Sequence, residues 1–116
     1  MKIYTSYFAK LKKLPKNIVP ISICGKAPDW YKGIQYKVLA PKYVFFMEWK
    51  QNHDNEFYIE HFKSEVLDLL DADEVVERLS QLSEGKDIAL ICYEKPSDFC
   101  HRHLVAEWLG IEEWTE

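Results

Sequence analysis

The run Ile88-Ala-Leu-Ile91 restricts the possible folds more than any other feature of the chain. It lies inside the segment Asp87–Tyr93, between the helix breakers Gly85 and Pro96. A short strand that is apolar on both sides of the pleat needs cover on both faces, which is typical of a parallel sheet in an α/β protein. The sequence therefore predicts a buried parallel strand at this position.

Two further segments have the composition of strands. Lys2–Phe8 is rich in β-branched and aromatic residues, and Ile18–Cys24 is a second apolar run. The basic segment Lys10–Asn17 between them is predicted to be a linker. Ala27–Pro41 is interrupted by proline and glycine and predicts a long irregular loop, which in a small domain is often functional.

Three segments have the apolar periodicity of helices. Glu56–Leu70 follows the i, i+3, i+4 rule of an amphipathic helix. A second helix is expected to follow a cap at Asp71 or Asp73, and a third to run from about Ser97 to Leu109. Tyr43–Trp49 fits either a strand or a short helix, and the sequence does not decide between them.

This order of elements predicts one α/β domain over residues 1–116, a small layered domain with a mainly parallel sheet flanked by helices. We expect Ile3–Tyr7, Val19–Ile23 and Ile88–Cys92 to be neighbouring strands of that sheet. In such sheets, ligands bind in the crevice outside the carboxyl ends of the strands. The loop Tyr93–Asp98 is expected to lie at this crevice.

Net charge and cysteine content indicate which binding partners and which cellular compartment to expect. The net charge of -4 gives the chain as a whole no attraction to nucleic acid or to an anionic membrane, although four lysines between Lys10 and Lys16 form a local basic patch. The first residues do not have the charged head and apolar run that predict a signal peptide, and no stretch approaches the ~20 apolar residues that cross a bilayer. We expect a cytoplasmic protein without a membrane partner, with three reduced cysteines and with neither a disulfide nor a structural zinc.

The segment Cys92–His103 concentrates the groups that can carry out chemistry: two thiols, two imidazoles, an arginine and two carboxylates. If the last helix begins near Ser97, Cys100 falls in its first turn. There, free backbone N–H groups and the helix dipole favour a bound anion or a thiolate. The segment therefore predicts a functional site at the N-terminus of this helix.

Each of these residues also has a purely structural explanation. Cys92 and Cys100 fit small buried residues. His101, which the helical period places near the centre of the buried face, fits a hydrogen-bonded core histidine. Arg102, at the edge of that face, fits a surface ion pair, and Glu94 fits a solvated loop charge. The sequence leaves both explanations open for all five residues.

Spacing argues against several common sites. A four-ligand zinc site lacks its short C-x₂₋₄-C pair, and His101 and His103 point apart on a helix. A cysteine-phosphatase loop needs several backbone amides between its cysteine and its arginine, but only His101 separates Cys100 from Arg102. The G-x-G-x-x-G and P-loop motifs are missing. No metal and no cofactor are therefore expected.

The run Leu90–Glu107 resembles the signature of the family called domain of unknown function 488, in which a strand ends in Cys-x-Glu and Cys-His-Arg opens a helix. Ile3–Tyr7 and Pro20–Ile23 also resemble segments of its compact members, so the likeness covers most of the chain. The chain departs at Ser6, where members often have a glycine. The resemblance implies an α/β fold without an established activity. The positions of this chain that match the family signature are Cys92, Glu94, Cys100, His101 and Arg102.

Two functional hypotheses of different classes follow. In the first, the last helix binds a small or nucleotide-type anion at its N-terminus, and Cys100 acts as a nucleophile or redox thiol. The residues assigned to this hypothesis are, as catalytic groups, Cys100, His101 and Glu94; as anion-binding groups, Arg102, Thr5 and Ser6; and as pocket residues, Cys92, Trp30 and Tyr31. In the second, the chain is a non-enzymatic module whose aromatic loop 27–41 binds a protein or nucleic acid.

Overall fold

A computed structural model describes residues 1–93 and 99–111, and these residues form a layered domain around a four-stranded sheet. The strands are all parallel and lie in the spatial order β1-β4-β2-β3. Their bounds are β1 (Ile3–Tyr7), β2 (Ile18–Ser22), β3 (Ile34–Gln35) and β4 (Asp87–Cys92). The three predicted strands, which correspond to β1, β2 and β4, are neighbours in one parallel sheet, with β4 between β1 and β2. That prediction is confirmed.

Four α-helices pack against this sheet in the described part of the chain. They are α1 (Tyr43–Asn52), α2 (Asn55–Glu65), α3 (Ala72–Ser83) and α4 (His101–Leu109). The predicted α/β class is therefore confirmed, and the segment that fitted either a strand or a helix is helical. No helix among the described residues is long and apolar enough to cross a bilayer.

Local signals explain where two of these helices begin. The side chain of Asp54 accepts hydrogen bonds from the backbone N–H groups of Glu56 and Phe57, and Asp71 accepts from those of Asp73 and Glu74. These bonds satisfy donors that have no partner inside the helix. Of the two caps considered for the second helix, Asp71 is the one in use.

Two expected connections contain regular structure. The predicted loop 27–41 includes β3 and a 3₁₀ turn at Lys37–Leu39, and the basic linker begins inside a 3₁₀ helix at Phe8–Lys13. These elements are too short to carry a periodic pattern, because β3 spans only two residues. Sequence periodicity could not have indicated them.

The alternation of side chains along β4 divides the core into two parts. Ile88 and Leu90 point to the face on which all four α-helices pack. Ala89 and Ile91 point to the opposite face, which is covered by Phe8 and by Tyr31 from the loop before β3. The helices thus flank one face of the sheet, and the 3₁₀ segment and the loop flank the other. Both faces are buried, as the continuous apolar run required.

Tyr31 anchors the loop before β3. Its hydroxyl donates to the carbonyl of Ile34 at 2.7 Å and lies 3.2 Å from the carbonyl of Pro20. Burial raises the pKa of Tyr31 to about 12, so the phenol remains a donor at neutral pH. A Cβ atom at Gly33 would lie 2.6 Å from the Tyr31 hydroxyl oxygen, so only glycine fits beside the anchored ring.

Gly33→Ala is therefore expected to lower the free energy of unfolding by about 1–3 kcal/mol, since the ring can move only by giving up its hydrogen bonds. Urea denaturation followed by tryptophan fluorescence measures the change. Gly25→Ala is the matched control, because a Cβ atom there meets nothing within 4 Å. Equal stability of the two variants would contradict the anchoring role of Tyr31.

Candidate functional site

A cavity of about 710 Å³ opens at the carboxyl ends of β2 and β4, the edge at which the sequence placed the ligand crevice. The C-terminal residue of β4, the residues after β2, helix α1 and the start of α4 all contribute to its lining. The lining residues are Cys24, Gly25, Lys26, Pro41, Tyr43, Phe46, Met47, Trp49, Lys50, Tyr58, Cys92, Tyr93, Phe99, Cys100 and His101.

Two cysteines meet at the base of this cavity. Cys92 is the last residue of β4, and Cys100 is the N-cap of α4 with an extended backbone (φ -155°, ψ 145°). Their sulfur atoms are joined in a disulfide across a sequence separation of 8 residues. Cys24 is buried and is not part of this disulfide.

Two expectations are corrected at this point. The expectation of three reduced thiols and no disulfide is wrong, because the end of β4 and the start of α4 lie beside each other and bring two of the three sulfurs together. The last helix begins at His101 rather than near Ser97, so Cys100 precedes the first turn instead of lying in it. The extended backbone of Cys100 is what allows its side chain to reach back to Cys92.

His101 lies against both sulfurs with a fixed ring orientation. Its Nε2 atom donates to the carbonyl of Ile23 at 2.8 Å, and its Nδ1 atom lies 3.6 Å from Cys92 Sγ and 3.8 Å from Cys100 Sγ. A carbonyl oxygen only accepts, so Nε2 carries the proton and Nδ1 presents a lone pair. The ring of Phe62 packs edge-on against the imidazole at a centroid distance of 5.6 Å.

The imidazole is neutral at physiological pH. Burial lowers the pKa of His101 to about 4; the hydrogen bond to Ile23 opposes the shift, and the charge of Arg102 adds to it. A neutral imidazole can accept a proton from a thiol or donate its lone pair to a metal ion. Cys92, Cys100 and His101, which together we call the Cys₂His centre, have donor atoms within 4.8 Å of one another.

Aromatic rings form one wall of the cavity. The centroid of Phe99 lies 4.9 Å from that of Tyr58 and 5.5 Å from that of Trp49. Trp49 is held in turn by a hydrogen bond from its indole N–H to the Asn55 side chain at 3.0 Å. Aromatic side chains of this kind are common in the lining of small-molecule pockets.

The charged side chains of the lining are positive. Lys26 and Lys50 contribute to the lining, and the lining residues among the described part of the chain include no carboxylate. The ammonium group of Lys50 lies 5.1 Å from the centroid of the Phe46 ring. The lining therefore combines apolar side chains with two positive charges, although the net charge of the chain is negative.

The three residues assigned to anion binding lie outside the lining. Arg102 is only 1% exposed, and its guanidinium carbon lies 5.7 Å from the centroid of the Tyr7 ring at the end of β1. Thr5 and Ser6 are buried within β1, where they pair with Leu90 and Ile91 of β4. Arg102 thus points to the carboxyl end of β1, and its burial excludes the alternative of a solvent-exposed surface pair.

The aromatic residues assigned to the pocket also lie elsewhere. Trp30 is 60% exposed and packs edge-on against Phe8, and Tyr31 is buried under the same ring. Both belong to the face of the sheet that lacks α-helices. Glu94 lies outside the described residues, so the structure adds nothing about its assignment.

Cys24 and the inner face of α1 are lining residues that the sequence did not indicate. Cys24 was assigned only to the end of a strand, and its sulfur contacts the Ser22 hydroxyl at 3.2 Å. The polar-aromatic pattern of Tyr43–Asn52 did not distinguish a helix from a strand, so Phe46 and Trp49 could not be placed. The contribution of α1 to the cavity could have been expected only if the segment had first been recognised as a helix.

Comparison with protein families gives one match, which covers most of the chain. The model of the family DUF488-N3a, described as the active DUF488-N3 subclade, matches residues 6–113. The matched segment contains the whole cavity lining, including the Cys₂His centre. Neither the curated proteins nor the solved structures gave a match.

Proposed function

We propose, for a chain that belongs to the DUF488 family, that the cavity binds a small anionic molecule and that Cys92 and Cys100 reduce it by cycling between a dithiol and a disulfide. Cys100 is the attacking thiol and Cys92 the resolving thiol. The observation that carries the proposal is the Nδ1 lone pair of His101, which faces both sulfurs at the base of an open cavity. The description of the matched subclade as active agrees with a catalytic site.

The orientation of His101 supports a functional dithiol state. A neutral imidazole with its proton on Nε2 can accept a hydrogen bond at Nδ1 but cannot donate one there. The sulfurs of a disulfide carry no proton, whereas a thiol can donate to Nδ1. The imidazole is therefore oriented to serve the reduced form of the pair as an acceptor for the proton of a thiol.

The exchange step balances in atoms and electrons. The Cys100 thiolate attacks one sulfur of a substrate disulfide, a mixed disulfide forms, and the first substrate thiolate leaves. Cys92 then attacks Cys100 Sγ, the protein disulfide forms, and the second substrate thiolate leaves. Two electrons pass from the protein to the substrate, and the two protons of the dithiol end on the two substrate thiolates. His101 Nδ1 accepts the hydrogen bond of a thiol and remains neutral.

The surroundings support a small disulfide substrate that carries an anionic group and an apolar part. The rings of Trp49, Tyr58 and Phe99 suit the apolar part, and Lys26 and Lys50 suit the anionic group. Arg102 contributes through its charge rather than by contact with the ligand, because its positive charge near Cys100 favours a thiolate. Of the aromatic loop 27–41, Pro41 contributes to the lining, and Trp30 and Tyr31 do not.

The test treats the reduced, metal-free protein with glutathione disulfide, a small anionic disulfide. The wild-type chain is expected to lose two of its three thiols and to gain a Cys92–Cys100 bond, as measured by thiol titration and mass spectrometry. Cys92→Ser is expected to stop at a mixed disulfide on Cys100, because the resolving thiol is missing. Cys24→Ser is the matched control and should still form the bond. Retention of all three thiols, or a mixed disulfide on Cys24 alone, would overturn the proposal.

A further inference from the structure

We propose that the reduced Cys₂His centre binds one zinc-like divalent ion through Cys92 Sγ, Cys100 Sγ and His101 Nδ1, and that oxidation of the two thiols releases the ion. This goes beyond the proposed function, which needs no metal. The release step rests on the proposed dithiol–disulfide cycle, but the binding step does not. It also departs from the sequence-based expectation of no metal, which considered only a four-ligand site.

The donor types are those of a zinc site with an open position. Two thiolates and one imidazole are a known ligand set for catalytic zinc, in which the fourth position holds water or substrate. All three donors line the cavity, so the fourth position would face its interior. Soft thiolate ligands favour Zn²⁺ over the harder Mg²⁺ and Ca²⁺.

The distances fit a tetrahedral ion between the donors. Zinc–sulfur bonds of about 2.3 Å and a zinc–nitrogen bond of about 2.0 Å place sulfur and nitrogen about 3.5 Å apart at a tetrahedral angle. The observed separations of Nδ1 from the two sulfurs are 3.6 Å and 3.8 Å. In the metal-bound form the two sulfurs would separate to about 3.8 Å. The Cα atoms of the two cysteines already lie 7.4 Å apart, which leaves room for this separation.

The hydrogen bond from His101 to Ile23 supplies the outer support that metal-bound histidines usually have. A histidine ligand typically donates its second ring N–H to a carbonyl or carboxylate, which fixes the tautomer and aims the other nitrogen at the metal. Here Nε2 donates to the carbonyl of Ile23, and the Phe62 ring supports the imidazole from the side. The lone pair at Nδ1 is thereby aimed at the two sulfurs.

Charge balance favours an ion at this buried position. Two thiolates together carry two negative charges, which would be costly to bury without compensation. A divalent ion cancels both charges and leaves a neutral centre. The same compensation is lost when the thiols form a disulfide, because the disulfide has no negative charge to hold the ion.

The release step is a two-electron exchange with a small-molecule disulfide as the oxidant. The sulfur–sulfur bond of the oxidant breaks, a bond forms between Cys92 and Cys100, and two oxidant thiolates leave. The ion departs as a divalent cation, so total charge is conserved. Binding of the metal and formation of the disulfide therefore exclude each other.

Binding is tested with the reduced full chain and with Co²⁺ and Zn²⁺ as probes. We expect about one Co²⁺ per chain, with a thiolate-to-cobalt charge-transfer band and the intense visible bands of a tetrahedral site. Cys92→Ser, Cys100→Ser and His101→Gln should each weaken Zn²⁺ binding by more than about 100-fold, since even outer-shell changes cost roughly 10–100-fold. His103→Gln, on the same helix and outside the cavity lining, is the matched control and should bind as the wild type does.

Release is tested by adding glutathione disulfide to the zinc-loaded protein in the presence of a chromophoric zinc indicator. We expect about one equivalent of zinc to appear as two thiols are lost. Failure of the reduced wild type to bind either metal, or undiminished binding by the Cys92→Ser and Cys100→Ser variants, would overturn the metal site even if the metal-free protein exchanges disulfides. Zinc binding without disulfide exchange would instead overturn the proposed function and the release step, and would leave the metal site standing.

Discussion

Phe62→Ala is expected to lower the free energy of unfolding by about 3–5 kcal/mol, the loss typical of removing a buried aromatic ring. The Phe62 side chain is fully buried, at 0% exposure, where α2 faces the sheet and α4. Its ring contacts that of Tyr58 at 6.0 Å and that of His101 at 5.6 Å. The deletion would therefore leave a cavity directly behind the imidazole of the Cys₂His centre.

Urea denaturation of the two variants Phe62→Ala and Phe57→Ala provides the measurement. Phe57 lies on the same helix, is only half-buried, and packs its ring against His61 at 4.2 Å. Removing the Phe57 ring leaves no enclosed cavity. The loss in the free energy of unfolding should therefore be clearly smaller, at about 1 kcal/mol. Similar losses for the two positions would mean that the space behind His101 is filled by other side chains when the ring is removed.

The Cys₂His centre depends on Phe62 because His101 lies between helix α2 and the end of strand β2. His101 is both a member of the centre and a buried residue between β2 and α2, because it donates to Ile23 and contacts Phe62. The same side chain thus fits the two explanations that the sequence left open, a core histidine and a site residue. Core packing and site geometry are coupled at this one position.

Three of the four strands, β1, β2 and β4, could be predicted because burial on both faces leaves a strong pattern. The apolar run of β4 indicated a parallel strand with cover on both sides, and its neighbours β1 and β2 had the same character. The periodicity of α2 and α3 and the cap of α3 were equally readable, since each signal lies in a few adjacent residues. The predicted helix Glu56–Leu70 was too long, because α2 ends at Glu65 and a separate 3₁₀ helix follows at Leu67–Leu69. The helical nature of α1 was not readable, because aromatic residues on several of its sides line the cavity and the core at once.

The proximity of the three residues of the Cys₂His centre could be expected from the sequence, but the other residues that contact them could not. Cys92, Cys100 and His101 are close in sequence and were identified together, and the structure brings them together. Their contacts with Ile23 and with the aromatic wall depend on how distant segments pack, which local spacing does not encode. The disulfide was missed for the same reason: an odd number of cysteines does not tell which two lie at the same edge of a sheet.

Arg102 is the position where the sequence was most ambiguous and where the structure makes the clearest distinction. On the helical wheel the side chain lay at the edge of the buried face, which fitted either an exposed ion pair or a group directed at the crevice. In the structure it is among the largest fully buried side chains, and its guanidinium lies over the Tyr7 ring. An exposed pair would contribute only ~0–1 kcal/mol, so a buried guanidinium leads to a different expectation.

Arg102→Lys is expected to lower the free energy of unfolding by at least about 2 kcal/mol, although it retains the positive charge. A lysine cannot reproduce the planar stacking on Tyr7 or the directions of the guanidinium donors, and a compact ammonium is more costly to bury. Arg78→Lys is the matched control, because Arg78 is the other arginine of the chain, is exposed, and bonds only to the side chain of Gln81 among the contacts described. This control should change stability by less than about 0.5 kcal/mol. Equal, small effects at both positions in chemical denaturation would show that a point charge suffices beside Tyr7, and the guanidinium would then have no special part in shaping the start of α4.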